Sequence, residues 1–412
     1  MIQEKPVAAT SNPQASVSRI QLRIVRANWE VIGPKLLGTL CVFMVGGLLV
    51  AGLWPFHSPK NQVTWIGGGN GLHFGRHGTI LSSGKFKATN AQENVPCSVE
   101  VWLEPDSTEG GSTLFAFYAP GSPRQFSLNQ SISDLALRSD IRVGRYRTRT
   151  TRLYVEDIFR RGKPLFITVT SSGGQTSVYV DGALARTAPK FPLSGKDFNG
   201  ELVVANSPTV DNSWSGLLRG LAFYDQELSP AQVFHHYETW IKKGRPDVSE
   251  NERAVALYLF DEHAGRVIHS QIPSGTDLYI PDRYLVLDEV LLGPFWKAYN
   301  PSWSYWKDVL TNIVGFLPFG FLFCAYFSLA GRIKRPALVT ILLGFALSLT
   351  IESLQSFLPT RDSDTTDVIT NTLGTCFGVW LYRLNLWRVL IARIRTHLLG
   401  VADKGQLASH RN

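Results

Sequence analysis

Apolar positions follow three different rhythms along this chain. From Leu36 to Phe56 they run for 21 residues without a charge, enough to cross a bilayer as a helix. From about 60 to 250 the apolar runs are short, alternate with polar positions and are separated by turn residues. Beyond 300 long runs return, over Val309 to Ala330, Ala337 to Leu358 and Val368 to Tyr382. The pattern predicts a mixed membrane protein, with four transmembrane helices and an all-β body between the first and the second. The last run is short and is expected to borrow Leu384 to Trp387, with Arg383 snorkelling to the interface.

Flanking charges orient these spans. Lys5, Arg19, Arg23, Arg26 and Lys35 precede the first, Arg332, Lys334 and Arg335 separate the second from the third, and Arg383, Arg388, Arg393 and Arg395 follow the last. The positive-inside rule places all three groups in the cytoplasm, which four spans satisfy. The middle of the chain and the loop Pro359 to Asp367 are then external. A secretory signal would have a shorter apolar core and a small-residue cleavage site; a long leader and Trp54-Pro55-Phe56 make the first run an uncleaved anchor instead. Trp296, Tyr299, Trp303, Tyr305 and Trp306 form an aromatic segment suited to the headgroup level. The expected division is a cytoplasmic leader over 1–35, an anchor over 36–56, an external sandwich with a C-terminal extension over 60–290, an interfacial segment over 291–308, a three-span domain over 309–387 and a basic cytoplasmic tail over 388–412.

Within the middle, Ser98 to Leu103 alternates at period two, Leu165 to Val169 and Ser177 to Val180 are β-rich, and Asp181-Gly182 is a hairpin-turn dipeptide. Many short strands with glycine-rich turns predict a β-sandwich. One helix is marked by Ser229 as N-cap, Pro230 at its first position, Gln232 completing a capping box and Gly244 near its end. Ser177 to Ala185 (SVYVDGALA) and Trp214 to Val233 closely resemble the second half of concanavalin-A-like, laminin-G-like jelly rolls. Ala254 to Glu262 looks like an opening strand of such a domain, either closing the sandwich or left from a second copy. The resemblance implies a fold that often binds carbohydrate and sometimes protein. Trp65, Trp102 and Trp214 are candidate sugar-stacking platforms; Trp102 reads better as core, Trp214 stands where the family's tryptophan is structural, and Trp65 stays open. Arg145, Arg147 and Arg149 alternate and would share one strand face, with Arg138, Arg142 and Arg152 nearby. Such a stripe holds an anionic glycan or lipid phosphates, or else it is a solvated edge whose charges deter aggregation.

The net charge of +8 would allow nucleic acid, but much of it lies beside apolar runs and in the arginine stripe, which excludes nucleic acid in favour of membrane lipid or an anionic polymer. Four cysteines, three of them in apolar runs, imply no disulfide framework, and no metal-type Cys/His spacing occurs. No metal and no cofactor is expected. His73, His77, His235, His236, His263 and His269 are scattered, without a nucleophile–base pair.

The chemistry gathers at the external ends of the last three spans. Asp308 and Asn312 are four apart, Glu352 and Gln355 three apart, Asp367 and Asn371 four apart, so each pair shares a helix face. At about 1.5 Å rise per residue, Glu352 lies roughly 9 Å below the outer boundary and Asn312 and Asn371 about 5 Å below it. The loop adds Arg361, Asp362 and Asp364, with Arg361 the natural counter-ion for the cluster. Gly374 and Gly378 form a small-xxx-small stripe, and Pro318 is expected to kink its helix. The pattern D-x3-N-x3-F-x-PFG from Asp308, IE-x2-Q from Ile351 and P-x-R-x2-D-x2-D-x3-N-x2-G-x3-G from Pro359 is similar to the VanZ-like family, small bacterial membrane proteins named for a teicoplanin-resistance accessory. Asp308, Asn312, Glu352, Gln355, Arg361, Asp364, Asp367 and Asn371 each fall on a family-typical position.

That resemblance implies a bacterial inner-membrane protein of the cell envelope with a glycopeptide-antibiotic or envelope-stress role. In the binding reading, the sandwich takes a glycan or peptide and the polar layer an anionic lipid-linked or cell-wall-related ligand. In the enzyme reading, Glu352 or Asp367 is a general base and Arg361 a charge stabiliser acting on a polyprenyl-phosphate-linked glycan. In a third, the polar layer merely cross-links helices and the sandwich carries the function. Transport is disfavoured because nothing polar continues inward.

Overall fold

The computed structural model describes residue 33 and residues 35–86, 95–122, 124–143, 147–191, 193–249, 252–299 and 302–384. The leader and tail charges therefore lie outside the described residues. Helices are α1 (Lys35–Leu53), α2 (Pro230–Lys243), α3 (Phe295–Ala298), α4 (Trp303–Ala330), α5 (Pro336–Gln355) and α6 (Thr365–Arg383). The chain divides into two compact units, one formed by Phe56–Val290 with Leu358–Asp362, the other by the described residues up to Pro55, Leu291–Phe357 and those from Ser363 onward.

The first unit is a sandwich of two antiparallel eight-stranded sheets. One runs β1 (Val63–Trp65), β2 (Leu72–Phe74), β13 (Gly216–Tyr224), β4 (Cys97–Pro105), β9 (Leu165–Ser172), β10 (Gln175–Val180) and β11 (Ala183–Ala188), with β14 (Ala254–Tyr258) following β2 along the edge of β13. The other runs β15 (Val267–Ile268), β16 (Leu278–Tyr279), β3 (Ile80–Ser82), β12 (Glu201–Val204), β5 (Gly111–Tyr118), β6 (Arg124–Ser131), β7 (Asp134–Val143) and β8 (Arg147–Val155). Ala254 to Tyr258 thus closes the sandwich rather than opening a second copy. Asp181 and Gly182 both take positive φ, 49° and 78°, as the two-residue turn between β10 and β11 requires.

Side chains alternating inward from both sheets make the main core, with Phe115, Phe117, Phe126 and Phe223 packed edge to face. A second core lies between the first sheet and α2, where Phe166, Tyr224 and Trp240 meet. This covering explains why β4 is buried on both faces despite its alternating sequence. Trp102 belongs to that second core, edge-on to Trp240 at 6.3 Å. Trp214 is 2% exposed and donates to Gln130 Oε1 at 2.8 Å. Trp65 packs half-buried against the main core and donates to the Gly265 carbonyl.

The start of α2 follows its sequence signals. Ser229 accepts from the Gln232 amide, Gln232 reaches back to the Ser229 amide at 2.9 Å, and Gly244 ends the helix at φ 71°. Ser229→Ala is expected to lower sandwich stability by about 1 kcal/mol, read as a fall in the midpoint of thermal unfolding; an unchanged midpoint would show that the cap contributes nothing.

In the helical unit, α1, α4 and α5 are each long and apolar enough to cross a membrane. The pattern predicts four spans; α6 does not meet that composition because Thr365, Thr366, Asp367, Thr370, Asn371, Thr372 and Thr375 interrupt its apolar positions. Glycines bring α6 against α4: a Cβ on Gly374 would meet the Ile313 carbonyl, one on Gly378 the Leu317 carbonyl, and one on Gly320 the Thr375 carbonyl. α5 approaches α6 where Gly344 faces the Thr375 side chain, and α1 meets α5 where Gly52 faces Ile351. α4 continues through Pro318. Trp296, Tyr299, Trp303 and Trp306 are exposed around its start.

Candidate functional site

The end of α5 and the start of α6 build a buried polar layer. Ser348, Glu352 and Gln355 follow one another on one face of α5, and all are buried. Asp364 is the N-cap of α6: its side chain accepts from the Thr366 amide at 2.7 Å, and its own amide donates to Glu352 Oε2 at 2.9 Å. Glu352, only 1% exposed, therefore faces the positively polarised start of α6. One stretch along, Asn371 Nδ2 donates to Ser348 Oγ at 2.9 Å. Gln355 Nε2 donates to the Gly52 carbonyl of α1 at 2.9 Å.

Three atoms in this layer are buried without a hydrogen-bond partner among the described residues: Gln355 Oε1, Asn371 Oδ1 and Thr366 Oγ1. Each such group costs about 1–3 kcal/mol when left unpaired. The loop into α6 is clipped from outside the span pattern. Leu292 and Gly293 amides donate to Ser363 Oγ and to the Ser363 carbonyl at 3.1 and 2.8 Å, and the Thr365 amide and hydroxyl return to the Gly293 carbonyl at 3.0 and 2.8 Å.

The predicted residues are thus distributed unevenly. Glu352, Gln355, Asp364 and Asn371 come together at the α5–α6 junction. Asp367 sits half-buried in the first turn of α6, Asn312 half-buried on α4, and Asp308 is exposed near the start of α4. Arg361 is exposed in the stretch Leu358–Asp362 that belongs to the sandwich unit, its amide donating to the Leu358 carbonyl. Reading the sequence missed Ser348, Ser363 and Thr366, because hydroxyls in apolar surroundings usually bond their own helix and carry no distinctive spacing.

In the sandwich, the outward face of the second sheet carries a groove of about 310 Å³. Its floor is Ala116, Ser127, Asn129 and Gln125, one wall is Arg138 and Asp140 of β7, and the other is the 207–212 loop between β12 and β13. Strand register fixes which arginines face it. Leu137 pairs with Leu153 and both point into the core, so Arg138, Arg142 and Arg152 point outward. Arg149, opposite Ile141, stands on the other side of the sheet. The backbone of Arg147 opens β8, and Arg145 lies outside the described residues. Tyr118, on the groove side of β5, has its hydroxyl pushed up to about 12 by burial and by its hydrogen bond to Asp288, with Arg142 acting the other way. It stays a neutral phenol.

Among the described residues no group of three or more His, Cys, Asp or Glu side chains has the arrangement of a metal site. Residues 266–388 match the VanZ/LLP1 family and residues 78–234 the concanavalin A-like lectin/glucanases superfamily. Protein VanZ of Enterococcus faecium is 37% identical over 79 residues, which are 19% of this chain and 46% of that protein, so the match spans just under half of the relative's length. Among solved structures, a proposed carbohydrate-binding protein from Bacteroides ovatus is similar over 54% of this chain and 58% of its own, at 10% identity and a TM-score of 0.36. Domain 4 of an extracellular arabinanase from Geobacillus stearothermophilus, solved with arabinotriose, covers 43% of this chain and 84% of its own, at 17% identity and a TM-score of 0.33. The chain carries a concanavalin-A-like domain of the laminin-G type followed by a VanZ/LLP1 domain.

Proposed function

We propose that this is a bacterial inner-membrane protein of the cell envelope whose α5–α6 polar layer binds the polar head of a lipid-linked or cell-wall-related ligand, while the external sandwich binds glycan. The supporting observation is a carboxylate 1% exposed, beside three further buried polar atoms that the described residues leave unpaired. Helix glue needs one or two satisfied amides, each contributing well under 1 kcal/mol. A layer that holds Glu352 fixed by the Asp364 amide and leaves Gln355 Oε1 and Asn371 Oδ1 open is arranged for a donor-rich group, such as a sugar hydroxyl or peptide amide. In this reading α6 is the fourth span, both termini are cytoplasmic and the layer opens to the outer face. Asp308, Asn312, Asp367 and Arg361 belong to the proposed ligand-binding set on sequence grounds.

Native mass spectrometry on gently extracted protein tests this reading. A lipid or lipid-linked glycan is expected to co-purify with wild type. Glu352→Gln removes one charge-assisted contact of about 1.5–3 kcal/mol, so the adduct should fall about tenfold or more while folded yield is kept. Arg361→Ala beside it reads whether an anionic group is held. Equally bare preparations, with Glu352→Gln melting earlier, would make the layer structural. Turnover of an added polyprenyl-phosphate glycan, lost in Glu352→Gln, would replace binding by catalysis with Glu352 as base.

A further inference from the structure

The geometry points to the groove on the outward face of the second sheet as a saccharide site selective for acidic sugars, an inference that rests on reading the sandwich as a glycan binder. At about 310 Å³ the groove has the volume of a small-ligand site. Its polar groups are already oriented. Asn129 accepts from Thr113 Oγ1 at 3.0 Å and donates to Ser127 Oγ at 2.9 Å, and Asn212 Nδ2 from the opposite wall donates to Thr113 Oγ1 at 3.0 Å. Within that lattice the Asn129 side-chain oxygen and the Ser127 hydroxyl keep further hydrogen-bonding capacity for a sugar hydroxyl. Ala116 and Ser127, adjacent across β5 and β6, are small and leave the depth for a ring.

The acidic preference comes from the β7 wall. Asp140, 17% exposed and held by Thr150 Oγ1 at 2.6 Å, pairs with Arg138 Nε at 2.9 Å. That ion pair keeps the guanidinium, 46% exposed, at the groove wall, where its fork of donors can receive a carboxylate or sulfate. Beside it, Arg138 and Arg152 are directly opposed across β7 and β8. Like charges opposed across a sheet are unfavourable, and here one of the two, Arg138, lines the groove, with Arg152 and Arg142 on the same face of the sheet. A bound anion removes that repulsion. A solvated edge whose charges only deter aggregation needs neither the Asp140 pairing nor the groove beside it.

The test uses the full chain in lipid nanodiscs, titrated with trigalacturonate and with hyaluronan and heparin tetrasaccharides, each beside a neutral oligosaccharide of equal length. At least one acidic member is expected to bind about tenfold or more tightly than its neutral counterpart. Arg138→Gln should erase that preference, Asn129→Ala should weaken both members, and Lys163→Gln, an exposed lysine away from the groove, should change neither. Binding should also weaken steeply with salt. Equal binding of neutral sugars that depends on Asn129 but not on Arg138 would overturn the acidic class and keep the groove. Sugar binding indifferent to both, or dependent on Arg149 instead, would overturn the groove while leaving the sandwich a glycan binder. Absence of binding across the whole panel would sink the inference and the glycan reading together.

Discussion

Replacing Glu100 by alanine is expected to destabilise the sandwich by about 3–5 kcal/mol. Glu100 is fully buried in β4, under the helix. It accepts from the Tyr224 hydroxyl at 2.8 Å and the Trp240 ring nitrogen at 3.2 Å, and pairs with His236 Nδ1 at 3.0 Å. His236 in turn reaches Glu252 through Nε2 at 3.1 Å. Removing the carboxylate strands three buried polar groups at once, and each retains its full desolvation cost. In a unit of this size such a loss shifts the melting midpoint by roughly 6–20 °C. Glu252→Gln should cost less, because Glu252 lies at the edge of the network and its amide replacement still fills the space. Tryptophan fluorescence during thermal unfolding of the full chain reads both. A Glu100→Ala midpoint within a degree or two of wild type would mean that the network adds specificity but little stability.

The same network gives a pH dependence with a definite sign. Burial, the largest influence on His236, opposes its protonation, yet Glu100 and Glu252 together outweigh it and hold its pKa above the usual 6.5. A histidine whose folded pKa is raised contributes stability that is complete below the unfolded value and is lost as pH rises through the folded one. The sandwich is therefore expected to melt progressively earlier as pH rises above about 6.5, and His236→Asn should flatten that slope. A wild-type midpoint that climbs with pH over that range would contradict it.

Much of this architecture is legible in the sequence where a feature is local. The capping box at Ser229, the Asp181-Gly182 turn and the alternation of β4 each specify their own geometry through nearest neighbours. Glu352 and Gln355 announce themselves because charge and amide are costly in an apolar run. Features made by distant pairing were not legible. The parity of β7 against β8 decides that Arg138 and Arg152, not Arg149, lie on the outward side of the sheet that carries the groove, and parity is set by a register that no spacing within one strand reveals. The Glu100–His236 contact joins a strand to a helix 136 residues away, so His236 read as one of several scattered histidines. The clip from Gly293 to Ser363 and Thr365 runs through backbone groups and two ordinary hydroxyls, which carry no distinctive sequence signature. The apolar rhythm marks α6 less clearly than α1, α4 and α5 for a related reason: its composition reflects what it packs against.

That packing leads to the second large effect. Gly378→Ala and Gly374→Ala are expected to abolish most of the folded membrane unit, at about 3 kcal/mol or more each, at or beyond the upper end of ordinary overpacking. A Cβ at Gly378 would meet the Leu317 carbonyl, the Phe321 amide nitrogen and the Gly320 Cα, and one at Gly374 the Ile313 carbonyl. All are backbone atoms of α4, so no rotamer change relieves the clash and the helices must separate. Gly315→Ala, on the same helix α4, meets nothing within 4 Å and should be neutral or slightly stabilising, since alanine favours a helix by about 1 kcal/mol over glycine. The pair separates close approach from helix propensity, and size-exclusion yield with melting in detergent measures both. Normal yield from Gly378→Ala would show that α4 and α6 do not approach at their backbones. The close approach also accounts for the threonine-rich composition of α6. A helix held by backbone contact on one side and by Thr375 against Gly344 on another leaves one exposed apolar stripe, Ile369, Leu373, Phe377 and Trp380. Such a helix need not be apolar all round, and its polar positions are free to build the layer around Asn371 and the Asp364 cap.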